Sequence, residues 1–456
     1  MTRERSVGAP SQRKGGSSPF PQTKSLMPQV GISSGCERIT YENMGDIPSP
    51  CLYNKNKILF IFKEDTPMAR IMIPHDEYLE RIKKAAALAA KMNLDVLVVN
   101  STESDYANVR YFSGFWPLFE RAGVAITPAG DAAIIVGPES GKFAADRSHI
   151  DKVFVSLDYR ESANPSYPEI QTSTYRDVFQ ALGVKGDKIR IGVCSMIDTT
   201  AVMMMGLKNS YPEAEIVDAF EIMLTLRQIK SENELACIRE GLRITKLATE
   251  EVIRTLRPGV TELQMVGVAQ RVIYENGAEY EGLPMYVFSE KSTSHCISRP
   301  CYRTIEKGDI VQLNLSAKVD GYSPSIGMPV CVGKMTPEKR RIVEFGLEAH
   351  EWTEKQLKAG VRAGDIATGF YQLFVDRGFK ENFAYGPCHG LGLIEVEAPW
   401  MESNSDYLLQ PNMTFNIDTF TMAPTFGVRW EHTVAITPDG CESLCDPIGK
   451  IIELDF

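Results

Sequence analysis

The chain has 456 residues, which predicts two domains, and its 43% hydrophobic and 24% charged residues exclude a fibrous or wholly disordered protein. A formal net charge of −10 excludes a surface that follows a nucleic acid backbone, because such a surface requires a basic stripe. The sequence contains no run of about 18 apolar residues, so we expect no membrane-spanning helix.

Residues 1–67 are rich in Ser, Gly, Pro and basic residues and show no sustained hydrophobic period, which predicts a poorly ordered extension. Residues 68–225 alternate helical and strand-like segments. An apolar stripe at steps of three and four over 76–92 predicts a helix, and LDVLVVN after it predicts a strand. Further β-rich runs and a helix near 174–182 indicate a smaller α/β domain.

Residues 226–456 form a second predicted domain. Its first part has a helical period that a Pro-Gly pair ends, and Thr261 then caps a second helix. Long strand-like runs with tight turns follow, and strands return at 413–422 and 428–437. Helices first and long strands later are typical of the α+β class.

Six segments of the second domain follow, in one order, the signature segments of a known family: an interdomain connector, a turn between two helices and four site-bearing segments. They are LRQIKSENEL, RPGVTE, KGDIVQLNLSAKVDGY, GPCHGLGLIEVEAP, MTFNIDTF and GVRWEHTVAIT. These segments resemble the creatinase/prolidase/aminopeptidase P family. The resemblance implies a C-terminal pita-bread domain over 226–456, preceded by a creatinase-type N-terminal α/β domain over 68–225, and it implies a homodimer.

Peptidases of this family use two metal ions held by two aspartates, one histidine and two glutamates. The resemblance places these five positions at Asn314, Ser325, His389, Asp418 and Glu431. Two of the four carboxylates are therefore replaced by an amide and a hydroxyl. Two divalent ions facing two carboxylates would leave uncompensated charge in a sheltered pocket, which is costly. We therefore predict no cofactor and, if one ion binds, a site on His389, Asp418 and Glu431.

In site character the chain is most similar to the metal-independent creatinase branch, which has an asparagine at the position of Asn314. In that branch a histidine before the KGD strand transfers the proton, and His295 is the matching residue here. Imidazole titrates near neutrality and can both accept and return a proton. The predicted catalytic residues are therefore His295, His389, Asp418 and Glu431.

A second set of residues is predicted to bind substrate. Glu397 is the acid beside Val396, which stands where the peptidases have a further histidine. Phe115 and Arg121 lie in GFWPLFERAG, where an aromatic face suits a cationic group and an arginine suits a carboxylate, or where the segment forms a buried aromatic turn. The predicted substrate-binding set is Asn314, Ser325, Glu397, Phe115 and Arg121.

The leading hypothesis is a metal-independent, creatinase-like hydrolase of a C–N bond in a small zwitterionic guanidino, amidine or betaine-like substrate. Gly327 stands where the creatinase branch has a substrate-binding glutamate, which argues against creatine itself. Three alternatives stay open: a metal-dependent Xaa-Pro dipeptidase or aminopeptidase, a lyase or ring-opening hydrolase acting on a betaine or compatible solute, and a non-catalytic ligand-binding protein.

The ten cysteines are scattered singly, without the repeated close spacing of a zinc ribbon. This pattern predicts free thiols in a cytoplasmic protein. Neither a nucleic acid nor a membrane is an expected partner.

Overall fold

The computed structural model describes residues 70–445 and 450–456. The extension predicted over 1–67 lies outside these residues and stays a prediction. Two β-sheets, each flanked by helices, organise the described chain.

The N-terminal part is built on a six-stranded sheet in the order β4-β3-β2-β1-β5-β6, where β2 is antiparallel to both neighbours and the other pairs are parallel. Its elements are α1 (His75–Lys91), β1 (Val96–Ser101), α2 (Ala107–Ser113), β2 (Ala122–Ile126), β3 (Ala132–Val136), α3 (Gly141–Arg147), β4 (Val153–Val155), α4 (Tyr175–Ala181), β5 (Arg190–Val193), α5 (Ala201–Ser210), β6 (Glu215–Asp218) and α6 (Phe220–Arg227).

The helix predicted over 76–92 is confirmed as α1. Its stripe of Tyr78, Ile82, Ala86 and Ala89 is buried, as the three- and four-residue spacing requires. The strand predicted after it is β1, which is buried along its whole length because it lies at the centre of the sheet with a neighbour on each side.

The C-terminal part contains a ten-stranded sheet with the path β12-β11-β13-β14-β10-β9-β7, to which β8, β15 and β16 add at β9, β14 and β10. Its elements are α7 (Glu232–Thr255), α8 (Glu262–Glu275), β7 (Tyr280–Glu281), β8 (Tyr286–Ser289), β9 (Ile310–Lys318), β10 (Ser325–Val332), α9 (Pro337–Gln356), α10 (Ala363–Asp376), β11 (Cys388–Gly390), β12 (Glu397–Met401), β13 (Thr414–Met422), β14 (Gly427–Ile436), β15 (Cys441–Ser443) and β16 (Ile452–Leu454).

Local signals define where the long helices of this part begin. Ser231 and Thr261 each form a capping box, in which the hydroxyl accepts from the backbone N–H three residues on and the residue there accepts in return. The cap predicted at Thr261 is confirmed. Helices α7 and α9 then pack against the central strands of the sheet.

Side chains of adjacent residues in a strand point to opposite faces, so register decides which side chains meet. Asp418 of β13 lies opposite Glu431 of β14, and Gly327 of β10 lies opposite both Asn314 of β9 and Glu431. His432, on the other face, instead contacts His350 of α9. The helices therefore cover one face, and the other face holds the polar residues.

The boundary predicted between residues 225 and 226 falls inside α6 (Phe220–Arg227), and it stays a prediction of where the domains separate. Buried apolar residues on both sides of this helix belong to one continuous core. None of the helices in the described ranges is long and apolar enough to cross a membrane.

Candidate active site

A cavity of about 1460 Å³ opens over the polar face of the C-terminal sheet. Asn314, His389, Asp418 and Glu431 line it, together with residues of the N-terminal part. Small-ligand pockets measure about 300–1,000 Å³. The cavity is therefore large enough for a peptide.

Glu431, at the floor of this cavity, is only 3% exposed and accepts hydrogen bonds from neutral donors. Asn314 Nδ2 donates to its Oε2, and Ser325 Oγ donates to its Oε1. Asn416 Nδ2 donates to the same Oε1 at 2.9 Å. The amide and the hydroxyl that replace the family's aspartates thus hold the carboxylate of Glu431 in place.

Gly327 has a packing role in this network. A Cβ at this position would lie 2.7 Å from Asn314 Oδ1 and 2.7 Å from the Cβ of Glu431, which is closer than side chains approach. The missing side chain of Gly327 is therefore what allows Asn314 and Glu431 to meet across the central strand.

Two residues of the site were not predicted, Glu395 and Asn416. Glu395 accepts from Asn416 Nδ2 at 2.8 Å and from Ser325 Oγ at 3.1 Å. Burial, and then the adjacent Glu395 carboxylate, raises the pKa of Glu431 to about 8. The position of Asn416 could have been predicted from the sequence, because it precedes Asp418 by two residues and so lies on the same face of β13. Glu395 lies outside the regular strands, where no period indicates its direction.

His389 is oriented by its own backbone. Its Nδ1 lies 3.0 Å from the carbonyl oxygen of Gly390. Because a carbonyl oxygen only accepts, Nδ1 carries the proton of the neutral ring and Nε2 has the lone pair. Nε2 lies 3.8 Å from Oε1 of Glu395, so the lone pair faces the two glutamates.

Asp418 forms an ion pair with Arg429. Arg429 Nε lies 3.0 Å from its Oδ1, and Tyr385 Oη donates to its Oδ2 at 2.8 Å. Arg429 also donates to Tyr385 Oη at 2.8 Å and to the carbonyl of Cys296 at 2.9 Å. The charge of Asp418 is thus balanced by a buried arginine.

The remaining predicted residues lie further from this cluster. His295 is exposed and is not among the residues that line the cavity, and its Nδ1 lies 3.2 Å from Ser298 Oγ. Phe115 is buried and packs against Phe143, with ring centroids 4.9 Å apart. Arg121 lines the cavity and donates to the carbonyl of Arg160 at 2.9 Å.

Glu397 is held by two cations, the buried Lys230 and the partly buried Arg227. Arg227 donates to its Oε2, and Lys230 Nζ lies 3.3 Å from its Oε1. These ion pairs join β12 to the last residue of α6 and to the segment that follows it. Of the predicted set, the structure therefore brings together Asn314, Ser325, His389, Asp418 and Glu431, whereas His295, Phe115 and Glu397 have other surroundings.

Lys318, at the end of β9, lies in an aromatic enclosure inside the cavity. Its Nζ is 4.1 Å from the ring centroid of Tyr106, 4.2 Å from Trp116 and 6.0 Å from Tyr280. Burial, and then the nearby Arg110 guanidinium, lowers the pKa of Lys318 to about 7. An amine that is partly neutral at physiological pH is therefore present in this cavity.

The lowered pKa of Lys318 should be visible in the way the free energy of unfolding changes with pH. Between pH 7 and 10.5 the unfolded chain binds a proton at this side chain and the folded chain does not, so the free energy of unfolding rises with pH in this window. We expect Lys318→Met to reduce that slope by about 1.4 kcal/mol per pH unit, measured by urea unfolding at several pH values. Lys83→Met, on the exposed face of α1, is the control, and an equal slope in the two variants would contradict the assignment.

Two known family models match the chain, one in each of the two domains. The model of the Creatinase/Prolidase N-terminal domain matches residues 81–229, and the model of Metallopeptidase family M24 matches residues 236–438. The chain belongs to the creatinase/prolidase/aminopeptidase P family. The predicted fold class is thereby confirmed, and membership of this family supports an enzyme of the hydrolase class.

Two similar proteins align with this chain over almost their whole lengths. The Xaa-Pro dipeptidase of Pyrococcus horikoshii is 25% identical over 82% of this chain and 99% of its own, and that of Pyrococcus furiosus is 24% identical over 80% and 97%. The crystal structure of the P. horikoshii prolidase has a TM-score of 0.70 at 23% identity, covering 82% of this chain and all of that one. The dipeptidase PepE of Mycobacterium ulcerans has a TM-score of 0.72 at 19% identity, covering 84% and 100%. These structures share the pita-bread fold.

The leading hypothesis from the sequence was wrong. The matched family is a metallopeptidase family and the similar proteins are Xaa-Pro dipeptidases, which overturns a metal-independent, creatinase-like hydrolase of a small zwitterion. The hypothesis relied on the substitutions at Asn314 and Ser325, and on Asn314 as a marker of the creatinase branch. These substitutions are weak markers, because the structure gives both residues a local role as donors to Glu431.

A two-ion centre does not fit the residues of this site. Asn314 and Ser325 provide no charge, and Asp418 is paired with Arg429. Glu395 and Glu431 are then the carboxylates left to face four positive charges. Two ions would keep about two charges uncompensated in a buried site, which the surrounding neutral donors do not offset.

Proposed function

We propose that this chain is a dipeptidase that hydrolyses the amide bond of Xaa-Pro dipeptides or closely similar short peptides. The observation that supports it most is the floor of the cavity, where the Nε2 lone pair of His389 faces Glu395 and Glu431. The similar Xaa-Pro dipeptidases, aligned over 95% or more of their own lengths, support the same class of substrate.

The cavity offers the contacts that a short peptide needs. Arg121 and Arg299 line it and form no ion pair with any residue of the described ranges, so each is available to the peptide carboxylate. Trp400 lies beside His389, with ring centroids 5.6 Å apart, and provides an apolar surface for a proline ring. We assign carboxylate binding to these cations and packing of the ring to Trp400.

His389 orients the floor of the cavity in this proposal. Its Nδ1–H is fixed by the Gly390 carbonyl, so the Nε2 lone pair is directed at the two glutamates, whose carboxylates accept a proton and return it to the departing amine. The hydrogen bonds from Asn314, Ser325 and Asn416 fix the Glu431 carboxylate next to it. These residues orient and move the proton, and no step here passes through a two-ion centre.

The test is release of free proline from Ala-Pro, Leu-Pro and Gly-Pro by the full chain, with Mn²⁺, Co²⁺ or Zn²⁺ supplied and Xaa-Ala dipeptides as the comparison. We expect turnover of the proline dipeptides, and we expect His389→Ala to lower kcat/KM by about 100-fold or more. His75→Ala, an exposed histidine at the start of α1, should retain the wild-type rate. Binding of these peptides without any product under all three ions would rule out the proposal.

We propose that the reaction takes place in the cytoplasm, because seven cysteines in the described ranges are free thiols: Cys194, Cys237, Cys296, Cys301, Cys331, Cys388 and Cys441. The homodimer expected from the family stays a prediction.

A further inference from the structure

Glu431, which is buried, and Glu395, which is partly buried, form a pair of carboxylates without a cation of their own. They and His389 present three donor atoms that all lie within 4.8 Å of one another. Within the described ranges neither glutamate forms an ion pair with a lysine or an arginine, since Arg429 is paired with Asp418. Two adjacent carboxylates in such a site are costly unless a proton or a metal ion lies between them.

The surroundings of the three side chains are those of oriented metal ligands. A metal-binding histidine commonly donates its second N–H to a backbone carbonyl, as His389 does to Gly390. Metal-binding carboxylates are commonly hydrogen-bonded themselves, as Glu431 is by Asn314, Ser325 and Asn416. These contacts point the free Nε2 and the glutamate oxygens at a common position.

Charge and distance favour one ion. A single divalent cation neutralises Glu395 and Glu431, whereas a second ion has no carboxylate left. Two tetrahedral ligands of Zn²⁺ are about 3.4 Å apart when each is about 2.1 Å from the ion. The 3.8 Å between His389 Nε2 and Glu395 Oε1 is close to that separation.

We propose that the chain binds one divalent transition-metal ion, held by His389, Glu395 and Glu431. Glu395 is the new member of this set: it stands one residue before Val396, outside the five family positions, and takes over the charge that Asn314 and Ser325 no longer supply. Asp418, which the sequence predicts as a ligand, is replaced because Arg429 occupies it. The proposal deepens the proposed function and rests on it for the reaction that the ion serves.

Such an ion would supply Lewis-acid activation of the scissile carbonyl or of water. A site with three protein ligands keeps a coordination position open for substrate, as catalytic zinc sites do. Histidine and carboxylate donors suit Zn²⁺ and Mn²⁺. The substitution of two family ligands is thus compatible with a working mononuclear site.

The test measures the ion itself. Chelator-treated full chain is dialysed against Mn²⁺ or Zn²⁺, and bound metal per chain is determined by elemental analysis, with the Mn²⁺ electron paramagnetic resonance signal as a second readout. We expect one ion per chain and a rise in Tm on binding. Glu395→Gln should weaken binding by more than the about 10- to 100-fold that loss of a supporting contact costs. Glu281→Gln, an acid lining the same cavity outside the cluster, should bind as wild type.

A purely structural role for Glu395 would give a different result. Because Glu395→Gln removes one of two adjacent carboxylates, we expect the metal-free variant to melt above the metal-free wild type while losing the rise caused by metal. Two ions per wild-type chain, no bound ion, or full binding by Glu395→Gln would each overturn the proposal. One bound ion without peptide hydrolysis would instead refute the proposed function alone, and hydrolysis by a chain that binds no ion in the elemental analysis would refute this site alone.

Discussion

Replacement of Arg429 by methionine is expected to lower the free energy of unfolding by about 3–5 kcal/mol, because it leaves the buried Asp418 carboxylate without its cation. The substitution also removes the hydrogen bonds from Arg429 to Tyr385 and to the Cys296 carbonyl. Urea unfolding of the purified variant measures the loss. The result tests whether Asp418 belongs to an ion pair or is free to bind another cation.

Two controls separate the pair from a general effect of removing an arginine. Arg377→Met breaks an exposed pair with Glu348 and should cost about 1 kcal/mol or less. The double variant Arg429→Met/Asp418→Asn should be destabilised by clearly less than the sum of its single variants, because the unpaired charge is gone. Additive losses would show that Asp418 and Arg429 do not depend on one another.

The double variant Asn314→Asp/Ser325→Asp is expected to bind two metal ions per chain and to be unstable without them. It restores the two carboxylates of the family, but in the metal-free chain it places them against Glu431 and removes two donors to that residue. We expect its free energy of unfolding under chelation to fall by about 3 kcal/mol or more. Excess Mn²⁺ should restore more stability than it adds to the wild type, since two ions then bind the folded state.

Urea midpoints with chelator and with Mn²⁺, together with elemental analysis of bound metal, provide the measurement for this variant. Asn209→Asp, the same chemical change at an exposed position of α5, should leave both midpoints near those of the wild type. A stoichiometry that stays at one would mean that the pairing of Arg429 with Asp418, and not the absence of the two aspartates, limits the site to one ion.

Features specified by neighbouring residues could be predicted from the sequence. The stripe that becomes α1 and the cap at Thr261 each depend on residues within a turn or two, and both were predicted. The order of the six family segments likewise predicted the pita-bread fold. At the site, the loss of charge at Asn314 and Ser325 could be read directly, because residue identity needs no tertiary information.

Charge pairing across the fold could not be predicted in the same way. Glu397 meets Arg227 from 170 positions away in the chain, and a sequence pattern does not indicate that contact. His295 and Phe115 were chosen from motif positions, yet one is exposed and the other lies in the core. Both residues lie in segments between helices and strands. The sequence of such segments has no hydrophobic period, so it does not predict where their side chains lie.

By itself, the sequence determined the two domains and the long strands of the second one. It also determined that Asn314 and Ser325 stand where the family has metal-binding aspartates. Only the tertiary structure decided which of the remaining acids stay available to a cation. It paired Asp418 with Arg429 and turned Glu395 toward His389 and Glu431. The physical reason is that a buried carboxylate needs a compensating partner, and the partner is chosen by the meeting of distant segments across the sheet.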